Sequence, residues 1–371
     1  MHTPDSSSPL QQQLINDIQT NGPLPFVDYM NYCLYAPGHG YYDAGREIFG
    51  RQGDFITAPE LAGEQRLSLF AGAIANSVVE YAQSLSEYDL LEVGAGSGKL
   101  AEDLLLHLAK HNRLPKAYRI LELSNSLKQR QQQRLSKLNL PVTIEWLDKP
   151  PKDPWNGILI GNEILDALPV ERFCLDTNGL HRVGVTIEEH VLTECHLPPT
   201  LELSNAVTAL QETLLKDHHI NWPLPYTSEI CLSLPEFIHD LTANLNDGHV
   251  LLVDYGYLRA EYYRPERHMG TLVCHHQHQG HFDLLDKPGE QDITAFVDFS
   301  MTGEAAEEAG LKVIDYQTQA HFLIHADIES VMAEAMLNAD DNQAIQLAHE
   351  MKQLMLPTKM GEKFKVIVFQ K

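Results

Sequence analysis

LLEVGAGSGKLAEDLL (residues 90–105) places three glycines, Gly94, Gly96 and Gly98, between an apolar run and an amphipathic one. An apolar run that ends in glycines and continues with helical periodicity reads as strand, turn and helix. Glycine spacing then sorts the ligands. A phosphate-binding loop requires GxxxxGK followed by Ser or Thr, but Gly98-Lys99 is followed by Leu100, and Val93 stands where the first glycine belongs. A dinucleotide turn requires GxGxxG, and Lys99 occupies the position of the third glycine. What remains is an acid followed by GxGxG: Glu92, Gly94, Gly96, Gly98. Such a turn offers bare backbone, against which a ligand without a pyrophosphate can lie flat.

Outward from the turn, short apolar runs alternate with helical segments. The expected strands are YDLLEVG, YRILELS, VTIEWL, GILIGNE, HVLLVDYG, LKVIDYQTQ and the terminal FKVIVFQ. Helices are expected at KLAEDLLLHLAK, SLKQRQQQRLSKL, LPEFIHDLTANL, Thr294–Ala309 and Ile328–Met355. This alternation, with continuous apolar strands, predicts a parallel sheet covered on both faces. Ahead of it, LQQQLINDIQ and PFVDYMNYCLYA read as helices, residues 36–60 as a Gly- and Pro-rich loop, and Leu61–Gln83 as a third helix. Between the fourth and fifth strands, VERFCLDTNGLHRVGVTIEEHVLTECHL carries an Asn-Gly turn between β-branched runs, which predicts an antiparallel hairpin. The expected organisation is an N-terminal helical segment with a Gly-rich lid over 1–85, and a core over 86–371 with insertions at about 170–230 and 257–292.

The acid-GxGxG turn resembles the S-adenosylmethionine motif of class I methyltransferases. That resemblance implies an α/β, Rossmann-like seven-stranded sheet with an N-terminal lid segment and a β-rich insertion. A carboxylate beside the turn suits a ligand that carries an ammonium and a sulfonium. The second strand ends in Glu122, where an acid takes ribose hydroxyls in related folds, and Asp148 after the third strand can reach an adenine amino group. Ligands of open parallel sheets bind beyond the carboxyl ends of the strands. There the fourth strand runs into GNEILDALP, which places Asn162, Glu163 and Asp166 at the expected lip. The fifth strand ends in Asp254 and Tyr255, expected to face the same cleft.

GDFITAPE (53–60), LEVGAGSGKL, NEILDALP, VDYG and PGEQDITAFVDF (288–299), in this order, resemble the MidA family over about 22–328. Its best-known member is a mitochondrial protein arginine methyltransferase that assists assembly of respiratory complex I. The resemblance implies S-adenosylmethionine as cofactor and a protein substrate, such as a complex I subunit or an analogous partner. It also implies a loop folded over the cofactor cleft, bordered by Gly53, Asp54, Thr57, Pro59 and Glu60. Phe296 stands where the family carries His in TAxVDF. The implied chemistry is methyl transfer to a guanidinium nitrogen, with Glu163 and Asp166 as first catalytic candidates and Glu60 as a third. Two rival readings share this core: a small-molecule N- or O-methyltransferase, and a non-catalytic assembly factor that retains the cofactor fold.

Composition narrows the partners. A formal charge of −24, with 51 acidic against 27 basic side chains, repels phosphate backbones, so nucleic acid is not expected as a partner. No run reaches the ~18 apolar residues that cross a bilayer, so no membrane insertion is expected. The first 45 residues hold no Lys or Arg, which argues against signal and transit peptides and for a bacterial, cytoplasmic protein. Five dispersed cysteines form no CxxC pair. The run HMGTLVCHHQHQGHF (His268, His275, His276, His278, His281) lacks regular ligand offsets, so no metal is expected, and it is read as a loop lining the substrate entrance.

Overall fold

The computed structural model describes residues 8–45, 57–276 and 279–371. These residues form two compact units, both built from discontinuous segments. One draws on Met1–Arg46, Leu165–Leu234 and Tyr257–Met301, and the other on Glu47–Ile164, Pro235–Gly256 and Thr302–Lys371.

The second unit holds the expected sheet. Its strands are β1 (Asp89–Val93), β2 (Ala117–Leu121), β3 (Thr143–Leu147), β4 (Trp155–Asn162), β5 (Leu245–Tyr257), β6 (Lys312–Thr318) and β7 (Phe364–Gln370), in spatial order β6-β7-β5-β4-β1-β2-β3. Neighbours from β5 to β3 pair in parallel, while β7 lies antiparallel to both β5 and β6. The order reverses beside β1, so the turn after β1 lies at the topological switch point. Apolar runs such as Leu90, Leu91 and Ile158–Ile160 are buried because helices cover both faces. Among those helices, α1 (Leu69–Tyr81) is rich in small residues and buried along most of its length, α2 (Lys99–Lys110) follows the turn, and α3 (Asn125–Leu135) follows β2.

The other unit is β-rich. Glu171–Asp176 and Gly179–Glu188 form the hairpin expected at Asn178-Gly179, with the Asp176 carboxylate accepting the Asn178 N–H at 2.7 Å. Tyr226–Ile230, Val191–Leu197 and Leu24–Pro25 complete this five-stranded sheet. A helix at Leu201–His218 inserts Leu203, Val207, Leu210 and Leu214 against Phe173, Trp222, Tyr226, Tyr262 and Tyr263. The stack of Trp222 on Tyr226, at 4.4 Å between centroids, anchors that core.

Three local expectations are corrected. The span from Leu61 to Gln83 is broken: Ala58–Ala62 is a short 3₁₀ turn and α1 starts only at Leu69, because the Ser68 hydroxyl caps it by accepting the Ala71 N–H. The helix expected from Thr294 begins at Phe299, since Asp292–Thr294 pairs as a strand with Val273–His276. His275, His276 and His281 lie in a small antiparallel sheet rather than a loop, His268 lies in a turn, and His278 lies outside the described residues.

Candidate active site

At the end of β1 the Gly94 N–H donates to Leu121 O (2.9 Å), and the Gly98 N–H closes the turn on Ala95 O (2.8 Å). All three glycines lie in the left-handed region, with φ of +66°, +53° and +80°, where a side chain costs about 1 kcal/mol or more each. Spacing and conformation therefore agree, and Gly94 presents exposed backbone. The adjacent Lys99 is no phosphate ligand: its ammonium is buried and donates to both oxygens of Asp103 (2.7 Å each) and to Arg66 O (3.1 Å).

Two buried acids flank the turn. Glu92, within β1, is pushed up to about 7 by burial, although the Tyr118 hydroxyl donates to it at 2.7 Å. Glu122 follows β2, and burial raises it as well. Its two oxygens accept separately, Oε1 from the Ser124 N–H (3.0 Å) and Oε2 from Gln131 Nε2 (2.9 Å). Asp148, after β3, is exposed and ion-paired with Lys128.

Asn162 ends β4, one residue beyond the Val93–Gly161 register, so it stands beside the start of the turn. Its amide donates to Glu163 Oε1 (3.0 Å), while its Oδ1 is buried and makes no hydrogen bond among the described residues. Such an acceptor matches an ammonium-bearing ligand. Glu163 adopts φ +53°, unusual for a residue with a side chain, and its N–H is held by Val253 O at 2.8 Å. Asp254 does not open onto a cleft; it is fully buried, and its Oδ2 accepts the Ile164 N–H (3.1 Å), which braces the bend that carries Glu163.

Thr57 and Pro59 are buried around the 3₁₀ turn that carries Glu60. Burial raises the Glu60 carboxyl, which accepts a hydrogen bond from the Ser97 hydroxyl within the glycine turn. Gly53 and Asp54 lie outside the described residues. The second unit thus gathers Thr57, Pro59, Glu60, Glu92, Gly94, Gly96, Gly98, Glu122, Asn162 and Glu163, with Asp148 on its surface. Asp166 belongs to the other unit, buried, with its carbonyl accepting the Ala295 N–H (3.0 Å). In that unit Phe296 packs on Tyr257 at 5.6 Å between centroids.

Three residues in the setting escaped the sequence reading. Ser97 binds Glu60, Gln131 binds the Gly96 carbonyl, and the Arg134 Nε donates to the Ser97 carbonyl. Gln131 and Arg134 are three apart on α3 and so share a face. That spacing was the available signal, obscured by a run of glutamines. Among the described residues, one group has metal-ligand chemistry: Asp176, His181 and His196, with ligand atoms within 4.8 Å of one another. The two rings stack at 4.5 Å with 18° between planes, and His181 Nε2 lies 3.1 Å from Asp176 Oδ1. No described helix is long and apolar enough to cross a membrane.

Sheet order and turn conformation define an α/β fold with bare backbone at its switch point, and similarity gives its chemistry. Residues 73–317 match a family model described as S-adenosyl-L-methionine-dependent methyltransferase. A Burkholderia thailandensis structure bound to S-adenosyl-homocysteine is 33% identical, covers 100% of this chain and 95% of its own, and superposes with a TM-score of 0.87. Mitochondrial protein arginine methyltransferase NDUFAF7 from Bos taurus is 28% identical over 96% of this chain and 82% of its own length. The human protein of that name is 27% identical over 96% and 82% respectively. The protein is an S-adenosylmethionine-dependent methyltransferase. The chain belongs to the MidA family.

Proposed function

We propose that this enzyme transfers a methyl group to an arginine side chain of a protein substrate. The observation that carries the reading is Glu163: a carboxylate held in a left-handed backbone conformation, beside the turn, by Asn162 and Val253. Strain kept at a strand end in this way is characteristic of functional positions. Similarity along nearly the whole chain to proteins named protein arginine methyltransferase supports the substrate class.

The cofactor supplies an electrophilic methyl group on a sulfonium sulfur. Glu122 would hold the ribose hydroxyls, Gly94, Gly96 and Gly98 would line the nucleoside with bare backbone, and Asn162 Oδ1 would accept from the ammonium. Thr57 and Pro59 would border that pocket, Glu92 would add negative charge beneath it, and Asp148 would reach the adenine. An arginine guanidinium carries its charge at all working pH values, with a pKa above ~12. Its attacking nitrogen must therefore be oriented, and its charge drawn toward the other two nitrogens. A carboxylate does both through paired N–H···O bonds. Glu163 takes this role first, with Glu60 of the same unit as a further carboxylate, and the proton displaced on methylation leaves to water or to one of these acids. Positioning and charge complementarity account for most of the rate.

The test is mass spectrometry of arginine-containing proteins from cells with and without the gene, repeated with Glu163→Gln. Methylarginine sites lost in both the deletion and the variant support the assignment. Sites that persist in the deletion contradict it, and methylation of a small molecule alone would favour the small-molecule reading.

A further inference from the structure

Gln131 is fully buried on α3, yet a glutamine brings two donors and an acceptor that burial leaves costly unless each is matched. All are matched, and by groups far apart in sequence. Nε2 donates to the Gly96 carbonyl (2.9 Å) and to Glu122 Oε2 (2.9 Å), while Oε1 accepts the Trp146 indole N–H (3.0 Å). One amide therefore ties the glycine turn to the acid after β2, with β3 as its anchor. The side chain is also pressed against the turn: its Cγ lies 3.3 Å from where a Cβ on Gly98 would stand. The next residue on that face, Arg134, grips the adjacent carbonyl of Ser97 (3.1 Å). An apolar side chain of similar size would fill the same space but would leave the Gly96 carbonyl and Glu122 free to move relative to each other.

We propose that Gln131 is a positioning residue for S-adenosylmethionine, fixing the glycine turn and the ribose-binding carboxylate of Glu122 in a single relative geometry. The inference rests on the reading that the turn and Glu122 hold the cofactor. It differs from a packing role in one measurable respect. A residue that acts through Glu122 loses its influence on cofactor affinity once Glu122 is gone, whereas a core residue acts equally in both backgrounds.

The experiment is a double-mutant cycle read by calorimetric titration of S-adenosylhomocysteine into the full-length protein. Gln131→Met is expected to weaken binding about tenfold and Glu122→Ala about thirtyfold or more, while Gln131→Met made on Glu122→Ala should cost less than about threefold further. Should Gln131→Met fold poorly, Gln131→Glu keeps the shape and the acceptor for Trp146 while setting a carboxylate against Glu122, and is expected to weaken binding at least as much. Unchanged affinity in the Gln131 variants, or effects that multiply in full, overturns the inference while the cofactor reading stands. Unchanged affinity in Glu122→Ala overturns the cofactor reading, and the inference with it.

Discussion

Glu122 and Glu229 are both buried acids whose carboxyls burial pushes upward, yet their surroundings differ in kind. Glu229, in the β-rich unit, is caged. Its Oε1 accepts from the Thr271 N–H (2.8 Å), the Thr271 hydroxyl (2.6 Å) and the Tyr262 hydroxyl (2.9 Å). On the other side a Cβ at Gly270, where φ is +79°, would come within 2.1 Å of Oε2. Glu122 divides its oxygens between a backbone N–H and the Gln131 amide, next to the glycine turn and the exposed Leu123. A raised acid is therefore no mark of a site by itself. What separates the two is what shares their hydrogen bonds: Glu229 is bound to the wall of its own core, whereas Glu122 is bound to the element that carries open backbone.

The largest effect should fall on an acid outside both arrangements. Glu163→Gln keeps the shape of the side chain while removing its charge, and turnover in a methyl-transfer assay should drop about a thousandfold, roughly 4 kcal/mol of transition-state stabilisation. S-Adenosylhomocysteine affinity should stay within about twofold. Retained turnover would reduce Glu163 to a backbone feature.

Next comes Glu92, whose carboxyl in the folded state is raised to about 7 from 4.5. Between those values the folded chain holds a proton that the unfolded chain has lost, so stability falls as pH rises through this window. The penalty is absent below about 4.5 and complete above about 7, at roughly 3 kcal/mol. Glu92→Gln removes it. Denaturant unfolding of the ligand-free protein should show the variant gaining on the wild type from pH 5 to pH 8, and a constant difference would refute the assignment.

The two caged and uncaged acids can then be exchanged in effect. Glu229→Ala strands buried donors and should cost about 2–3 kcal/mol of stability, leaving the nucleoside affinity of the folded protein unchanged. Glu122→Ala also frees buried donors, the Ser124 N–H and one N–H of Gln131, and should cost about 1–2 kcal/mol of stability, but unlike Glu229→Ala it should in addition lose about 2 kcal/mol of nucleoside affinity. If both variants lose only stability, the distinction between the two acids fails. The smallest effect belongs to Asp148, whose pair with Lys128 is exposed on the acidic side. Asp148→Asn should change stability by less than about 0.5 kcal/mol, so any loss of nucleoside affinity in that variant isolates a contact with adenine.

How far the sequence could be read follows the same division. The central strands β1, β4 and β5 were legible because parallel strands buried on both faces are written as continuous apolar runs, and the partly exposed edge strands β3 and β6 were legible by their place in the alternation of strands and helices. The turn was legible because its three left-handed residues admit little but glycine. The break before α1 was legible only in part: the Ser68 cap is local, but the approach to it is held by partners remote in sequence, since the Glu350 carboxylate accepts the Leu69 N–H (2.7 Å) and pairs with Arg66. Nor was Gln131 legible within SLKQRQQQRLSKL, where its neighbours are solvated and only the turn packed against it makes one glutamine internal. The helix Leu201–His218 did leave a signal, the spacing of Leu203, Val207, Leu210 and Leu214 behind a Thr200 cap, inside a segment whose hairpin drew the reading toward strands. The acids of NEILDALP were legible as a pair but not by placement, because the division between the two units falls between Ile164 and Leu165.

A crystal structure of this chain with S-adenosylhomocysteine would decide where the cofactor sits. The nucleoside should lie along Gly94–Gly98, with its ribose hydroxyls donating to the Glu122 carboxylate. A nucleoside seated elsewhere, or ribose hydroxyls out of hydrogen-bond reach of Glu122, would contradict that placement.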